Sequence, residues 1–233
     1  MSDQKSSVVE LQARWDKIRS ANLYDTLDAM GYGDQCLDLG IKPLFPHRHL
    51  AGQAITVRTS AYPVPRGENP DGNDVNYFEE LRKILYPGCV VVIDSGGELY
   101  AGKFGEMTSW SLKQGGAHGI VIDSFIRDWW GLEEIPDFSP CVRGTSPIES
   151  AGRWTINALN VTIGMPGTTT TRVRVSPGDW VVAEADGVIV VPQAIAMEAL
   201  EKAEDLERRE QGMREDLAKG VSFEEAYQKW GRA

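Results

Sequence analysis

With 233 residues, 42% of them hydrophobic, and no stretch apolar enough to cross a bilayer, the chain has material for one large buried core and no candidate membrane anchor. Its 34 acidic side chains outnumber 24 basic ones, and a net charge of -10 without a basic stripe argues against a nucleic-acid partner. Cys36, Cys89 and Cys141 are too few and too dispersed for a disulfide framework or a thiolate zinc site, and Cys89, inside an apolar run, reads as a small buried side chain. The polar opening MSDQKSSVVE lacks a signal-peptide core, so a cytoplasmic address is expected.

In chain order, Leu11, Trp15, Ile18 and Leu23 form an apolar stripe that predicts helix over about 8–29, with Ser20 or Asn22 as cap of a second short helix. AGQAITVRTSAY alternates as a half-buried strand does, and the segment 62–74 that follows, YPVPRGENPDGND, reads as a long irregular loop. A helix over 76–85 ends at Pro87-Gly88. VVVID at 90–94, a short helix at 107–114 and GIVID at 119–123 then give strand, crossover and strand, the pattern of a parallel pair. The later run VRVSPGDWVVAEADGVIVVP repeats the device of a Pro-Gly turn before a valine run and predicts a β-rich, barrel-like layer. An amphipathic helix over 193–210 follows Pro192, and SFEEAYQKWGRA predicts a last helix with Ser222 and Glu225 in a capping box. These C-terminal helices suit packing or oligomerisation better than catalysis.

Chemistry concentrates between residues 94 and 128. Asp94 follows a buried strand and precedes Ser95-Gly96-Gly97, which fits either a site carboxylate or an Asx turn. The run 102–107, GKFGEM, leads into a helix whose first amides, at 105–108, can face a carboxylate. Arg127-Asp128 ends GIVIDSFIRD at a strand-to-loop junction, where arginine can clamp a carboxylate while aspartate holds a divalent cation; a plain surface ion pair is the alternative. His47, His49 and His118 are all the histidines and fit no zinc motif; His118 reads as a turn or interface residue. Ser95 and Ser124 lack a nucleophile context, and no glycine-rich segment suits an adenosyl cofactor, which disfavours a methyltransferase.

The segment DSGGELYAGKFGEMTSWSLKQGGAHGIVIDSFIRD resembles the RraA-like family, which includes class II 4-hydroxy-4-methyl-2-oxoglutarate aldolases, regulators of ribonuclease activity and proteins once called dimethylmenaquinone methyltransferases. The likeness runs over about 23–192 and takes in SANLYDTLDAM and PGDWVVAEADGVIVVP. It implies a single compact α/β domain with a central β-barrel-like sheet flanked by helices, assembled as a trimer or a hexamer with sites at subunit boundaries. It also implies that Arg127 binds the carboxylate of a pyruvoyl group and that Asp128 ligates Mg²⁺ or Mn²⁺. Gly105, Glu106, Met107 and Thr108 match the substrate-holding loop, and Asp94 the strand-end acidic position.

The implied reaction is retro-aldol cleavage of a 4-hydroxy-2-oxo acid with release of pyruvate, or decarboxylation of an oxaloacetate-like acid. A non-enzymatic protein that binds a ribonuclease or another partner is the alternative. Here DSFIRD departs from the family's more glycine-rich form, Trp129-Trp130 follows the pair, and the loop at 62–74 with Arg66 is expected to read the distal part of a substrate. Lys103 is a weaker candidate catalyst than a metal, because no Schiff base is required.

Overall fold

The computed structural model describes residues 2–62 and 77–231. The chain opens with helices α1 (Ser2–Trp15) and α2 (Ser20–Ala29), strands β1 (Lys42–Pro43) and β2 (Leu50–Ala61), and α3 (Tyr77–Ile84). Next come β3 (Cys89–Asp94), α4 (Glu106–Gln114), β4 (Ala117–Ile122), β5 (Phe125–Ile126), α5 (Trp129–Glu133), β6 (Ser139–Val142) and β7 (Gly144–Thr145). The second half holds β8 (Trp154–Leu159), β9 (Ile163–Pro166), β10 (Arg172–Val175), β11 (Trp180–Glu184) and β12 (Gly187–Val191), then α6 (Ala196–Ala218) and α7 (Phe223–Trp230). Except for Tyr62, the proline-rich loop at 62–74 lies outside the described residues.

The main sheet has the order β1-β6-β4-β3-β2-β11-β12, with β8 also on β2. β2, β3, β4 and β6 run parallel, as the strand–crossover–strand pattern predicts, whereas β11, β12 and β8 are antiparallel additions. β2 is long enough to serve two partners on one edge: residues 50–53 pair with β11 and residues 57–61 with β8. A register shift between Arg58 and Thr59 bends it there, which lets the sheet curl.

Curling buries both faces, so the period-2 alternation sorts side chains between two cores. Val90, Val92, Val121, Val181, Ala183, Val188 and Val190 point into the barrel with Ile163, Met165, Val173 and Val175. Their neighbours Val91, Ile93, Ile120 and Ile122 point out, under Leu81 of α3, Leu112 of α4, Phe104 and Phe138. On the far side Trp180, Val182, Ile189 and Val191 meet Trp15, Leu23, Leu27, Ala199, Leu200 and Ala203 from α1, α2 and α6. At about 1.5–3 kcal/mol per fully buried large aliphatic side chain, these three clusters dominate the stability.

Several local expectations change. The second short helix is present as α2, but the apolar stripe is interrupted before it, because the chain turns at residues 16–19 to carry α2 onto α6. Neither Ser20 nor Asn22 caps α2: Ser20 donates its backbone N–H and hydroxyl to Glu184 Oε1 at 2.7 and 2.8 Å, and Asn22 Nδ2 donates to Glu207 and Glu210. β2 is mostly buried rather than half-buried, since helices and barrel cover its two faces. His118 lies on β4, not in a turn, and burial depresses its pKa. After a short 3-10 turn, α6 continues to Ala218, well beyond residue 210. The capping box of α7 forms as expected, with Ser222 Oγ accepting from Glu225 N–H.

Candidate functional site

The site is assembled beyond the C-terminal ends of β3 and β4, the edge at which parallel α/β sheets present their loops. After Asp94 the chain loops outward and returns through residues 102–104 to lie beside β5. Lys103 N–H donates to Phe125 O and Arg127 N–H to Phe104 O, both at 3.0 Å, while Gly102 N–H reaches Ile148 O at 2.9 Å. β7 flanks β5 on the other side. This pairing brings the start of α4 against the end of β5 and joins the two halves of the sequence motif.

Arg127 and Asp128 meet at that junction. Arg127 Nε lies 3.5 Å from Asp128 Oδ2, and the two side chains keep 39% and 45% of their surface exposed. Asp128 precedes α5 with φ 65° and ψ 47°, a left-handed conformation that aspartate tolerates better than most residues. This geometry turns its carboxylate toward α4, where Oδ2 accepts the Glu106 N–H at 3.2 Å. Partial positive charge at the start of α4 favours an anion in this position.

Glycine at residue 105 is matched to the pair by space rather than by φ. A Cβ there would stand 2.3 Å from Asp128 Oδ2 and 3.2 Å from Arg127 Nε. Gly102 is confined more severely: a Cβ there would lie 2.7 Å from both Arg127 Cβ and Ser146 O.

Of the four loop residues expected to hold substrate beside Arg127, Gly105 gives its N–H to Thr108 Oγ1 at 2.9 Å and Glu106 gives its N–H to Asp128. Met107 and Thr108 keep first-turn amides that have no partner four residues earlier in the helix. The Glu106 carboxyl packs against Gly131, where a Cβ would lie 2.2 Å from Glu106 Cδ. Asp94 stands apart from the pair: its Oδ1 accepts Gly96 N–H at 3.1 Å, an Asx turn, and no hydrogen bond links it to Arg127 or Asp128 among the described residues.

Two charged groupings behind the pair were not foreseen. Lys103 is wholly buried and paired with buried Glu98. Burial lowers the lysine pKa against the pull of Glu98; for Glu98, burial is outweighed by hydrogen bonds from Lys103, Tyr100 and Ala101, which hold its pKa low. Arg143, after β6, joins Asp123 at the end of β4 to Asp38, with Nη1 to Asp38 Oδ1 at 2.8 Å. Burial raises the Asp123 pKa although Arg143 opposes it. The long sequence separations to Arg143 hide these contacts from local reading.

No group of three or more His, Cys, Asp and Glu capable of holding a metal occurs among the described residues. His49 instead lies 3.2 Å from Glu184. Beside Arg127, Asp128 offers a carboxylate of the kind that binds a hydrated divalent cation: Oδ2 is occupied by Glu106, and Oδ1 accepts no hydrogen bond among the described residues.

The profile of the RraA-like family, Aldolase/RraA, matches residues 20–190, which include the whole of this constellation. The chain belongs to the RraA-like family. It is 29% identical over 187 residues to a protein of Halalkalibacterium halodurans named provisionally as a 4-hydroxy-4-methyl-2-oxoglutarate aldolase, covering 80% of each chain. An uncharacterised protein of Pseudomonas syringae pv. tomato superposes with TM-score 0.76 at 26% identity, over 92% of this chain and 96% of that one. A Streptomyces coelicolor protein, described as an unusual member of the RNase ES inhibitor RraA family, superposes with TM-score 0.72 at 27% identity, over 88% and 96%. The mixed α/β architecture, with its curled sheet between helices, is thus that of the RraA-like family. No helix among the described residues is long and apolar enough to cross a membrane.

Proposed function

We propose that this RraA-like protein is a divalent-cation-dependent lyase that cleaves a 4-hydroxy-2-oxo acid to pyruvate, or decarboxylates an oxaloacetate-like acid. The observation that carries this reading is the placement of Arg127 and Asp128 side by side against the first turn of α4, over a glycine whose missing Cβ leaves room for the Asp128 carboxylate. Naming of relatives as aldolases supports the same class.

In this reading Arg127 binds the substrate carboxylate as a charge-assisted partner, and the Met107 and Thr108 amides orient the adjoining oxo group. Asp128 would hold Mg²⁺ or Mn²⁺ through one oxygen, with water and substrate completing the shell, as suits a hard cation at a site with a single carboxylate. Such a cation supplies Lewis-acid stabilisation of negative charge on the 2-oxo oxygen. As the bond between C3 and C4 breaks, its electron pair passes to C3 and onto that oxygen, while the 4-hydroxyl gives its proton to water in the exposed site and becomes a carbonyl; return of a proton from water to C3 then gives pyruvate. In decarboxylation the same electron pair is released as CO₂ departs. Lys103 plays no part as a nucleophile, since its ammonium is buried and hydrogen-bonded.

Exposed apolar side chains surround this site: Tyr100 is 75%, Met107 68% and Trp130 80% exposed. We assign them to contacts between copies in a trimer or hexamer, with the site at the boundary. The loop at 62–74 is assigned to recognition of the distal substrate group, a role that, Tyr62 apart, lies outside the described residues.

The test is pyruvate release from a panel of 4-hydroxy-2-oxo acids and oxaloacetate, with Mg²⁺, with Mn²⁺ and with chelator. Cation-dependent release is expected. Absence of release from folded, cation-binding protein would sink the lyase reading and favour a protein-binding regulator, the role that the name of the Streptomyces relative suggests.

A further inference from the structure

We infer that Lys103, Glu98 and Ser124 form a buried positioning network that fixes the start of α4 against Arg127 and Asp128; the inference rests on the lyase reading of that site. The Lys103 side chain has no exposed surface, yet every donor of its ammonium is used. One contacts the Glu98 carboxylate, one donates to Glu98 O at 2.6 Å, and one donates to Ser124 Oγ at 2.9 Å. Ser124, fully buried itself, donates a hydrogen bond from its hydroxyl to Glu98 O at 3.1 Å. The other face of the ammonium lies toward the Trp154 ring, 5.6 Å from its centroid.

Glu98 uses its carboxylate on the loop as well. Oε1 accepts the Tyr100 N–H at 2.9 Å and the Ala101 N–H at 3.0 Å. The loop between β3 and α4 is thereby folded around one ion pair. Ser124 anchors that pair to the segment leading into Arg127, and Lys103 lies two residues before Gly105. The network therefore touches both walls of the site while touching neither Arg127 nor Asp128.

A packing role alone does not account for this choice of residues. Burying two charges costs desolvation that their attraction barely repays, and apolar side chains of similar volume commonly serve stability as well or better. What an ion pair with directional bonds adds is a unique loop geometry. Reaction rate is sensitive to that geometry, because displacement of a binding group by about 1 Å can cost roughly a hundredfold.

The experiment compares wild type with Lys103→Met/Glu98→Gln, which removes both charges together and leaves an oxygen for the Tyr100 and Ala101 amides. Ser124→Ala is a milder second variant, informative even if the double variant folds poorly. Amide hydrogen exchange at residues 105–108 is read beside kcat, KM and Mg²⁺ affinity. The expected result is at least tenfold faster exchange of Gly105 and Glu106, the two amides of this turn that have partners, in the double variant, and at least threefold in Ser124→Ala, with exchange in β3 and β4 unchanged. For the double variant kcat should fall at least thirtyfold, with KM and the Mg²⁺ dissociation constant within threefold of wild type.

Unchanged exchange at 105–108 in the folded variants would overturn the network. Faster exchange with unchanged kcat in an active enzyme would overturn its service to the reaction. If wild type releases no pyruvate from any acid tested, the lyase reading fails by itself, and the exchange comparison still decides whether the network orders the loop.

Discussion

Individual atoms at residues 105, 127 and 128 set the character of the site. Arg127→Lys keeps a charge but loses the planar fork. It is expected to raise KM for the oxo acid about tenfold with a smaller change in kcat, by analogy with other charge-assisted contacts. Asp128→Asn retains a side chain suited to the left-handed backbone at φ 65° and should preserve the fold, while Mg²⁺ affinity, read by titration, falls at least about tenfold. Full cation-dependent turnover in both variants would remove these residues from the mechanism. Gly105→Ala places a methyl group on the Asp128 carboxylate, and kcat/KM should drop about a hundredfold with little change in Tm. An alanine variant as active as wild type would show that the α4–Asp128 contact opens during turnover.

At the scale of elements, the site depends on one short pairing between residues 102–104 and β5, while the C-terminal helices form a separate layer. α7 folds back on α6 through the Trp230 and Lys229 contacts to Asp216, each 2.8 Å, and through Gly212, where any Cβ would strike the Trp230 ring. Ser222→Ala removes the reciprocal cap of α7 and should cost about 1 kcal/mol of local stability, visible as faster hydrogen exchange in that helix. Catalysis should be unaffected if α7 only packs. A loss of activity at saturating substrate would tie this helix to the site. The elements themselves were largely legible beforehand, because β3, α4 and β4 have strong apolar runs bounded by glycine and proline. The pairing of residues 102–104 with β5 was not, since two or three residues carry no periodicity of their own.

The whole molecule carries a pH dependence at the joint between its N-terminal helices. Asp16 is largely buried, its Oδ1 has no hydrogen-bond partner, and burial raises its pKa to about 6, with the charge of His49 opposing. The folded state therefore binds this proton more tightly than the unfolded chain, whose aspartate titrates near 3.8. Stability falls as pH rises through that interval, and the penalty is complete above the folded value. Asp16→Asn should raise stability at pH 7.5 by about 1 kcal/mol, a figure reduced for solvent screening at a partly exposed group, and should have little effect below pH 4. Thermal unfolding across pH checks this: an equal gain at pH 3.5 and pH 7.5 would exclude titration of Asp16 as the cause.

The sequence by itself determined the order of strands and helices around the site, the family resemblance, and the candidacy of Arg127, Asp128 and the amides at 105–108. These rest on local chemistry: apolar runs, turn residues and a charged pair at a strand end. Tertiary structure alone decided that β2 is covered on both faces, that Asp94 makes a local turn, and that Lys103 is buried with Glu98 and Ser124 instead of facing substrate. The covering of β2 and the burial of Lys103 against Ser124 depend on which surfaces the curling sheet brings together, and burial and pairing across 20 or more residues leave no mark in local composition; for Asp94 the residues fitted both readings, and only the folded loop selected the local turn.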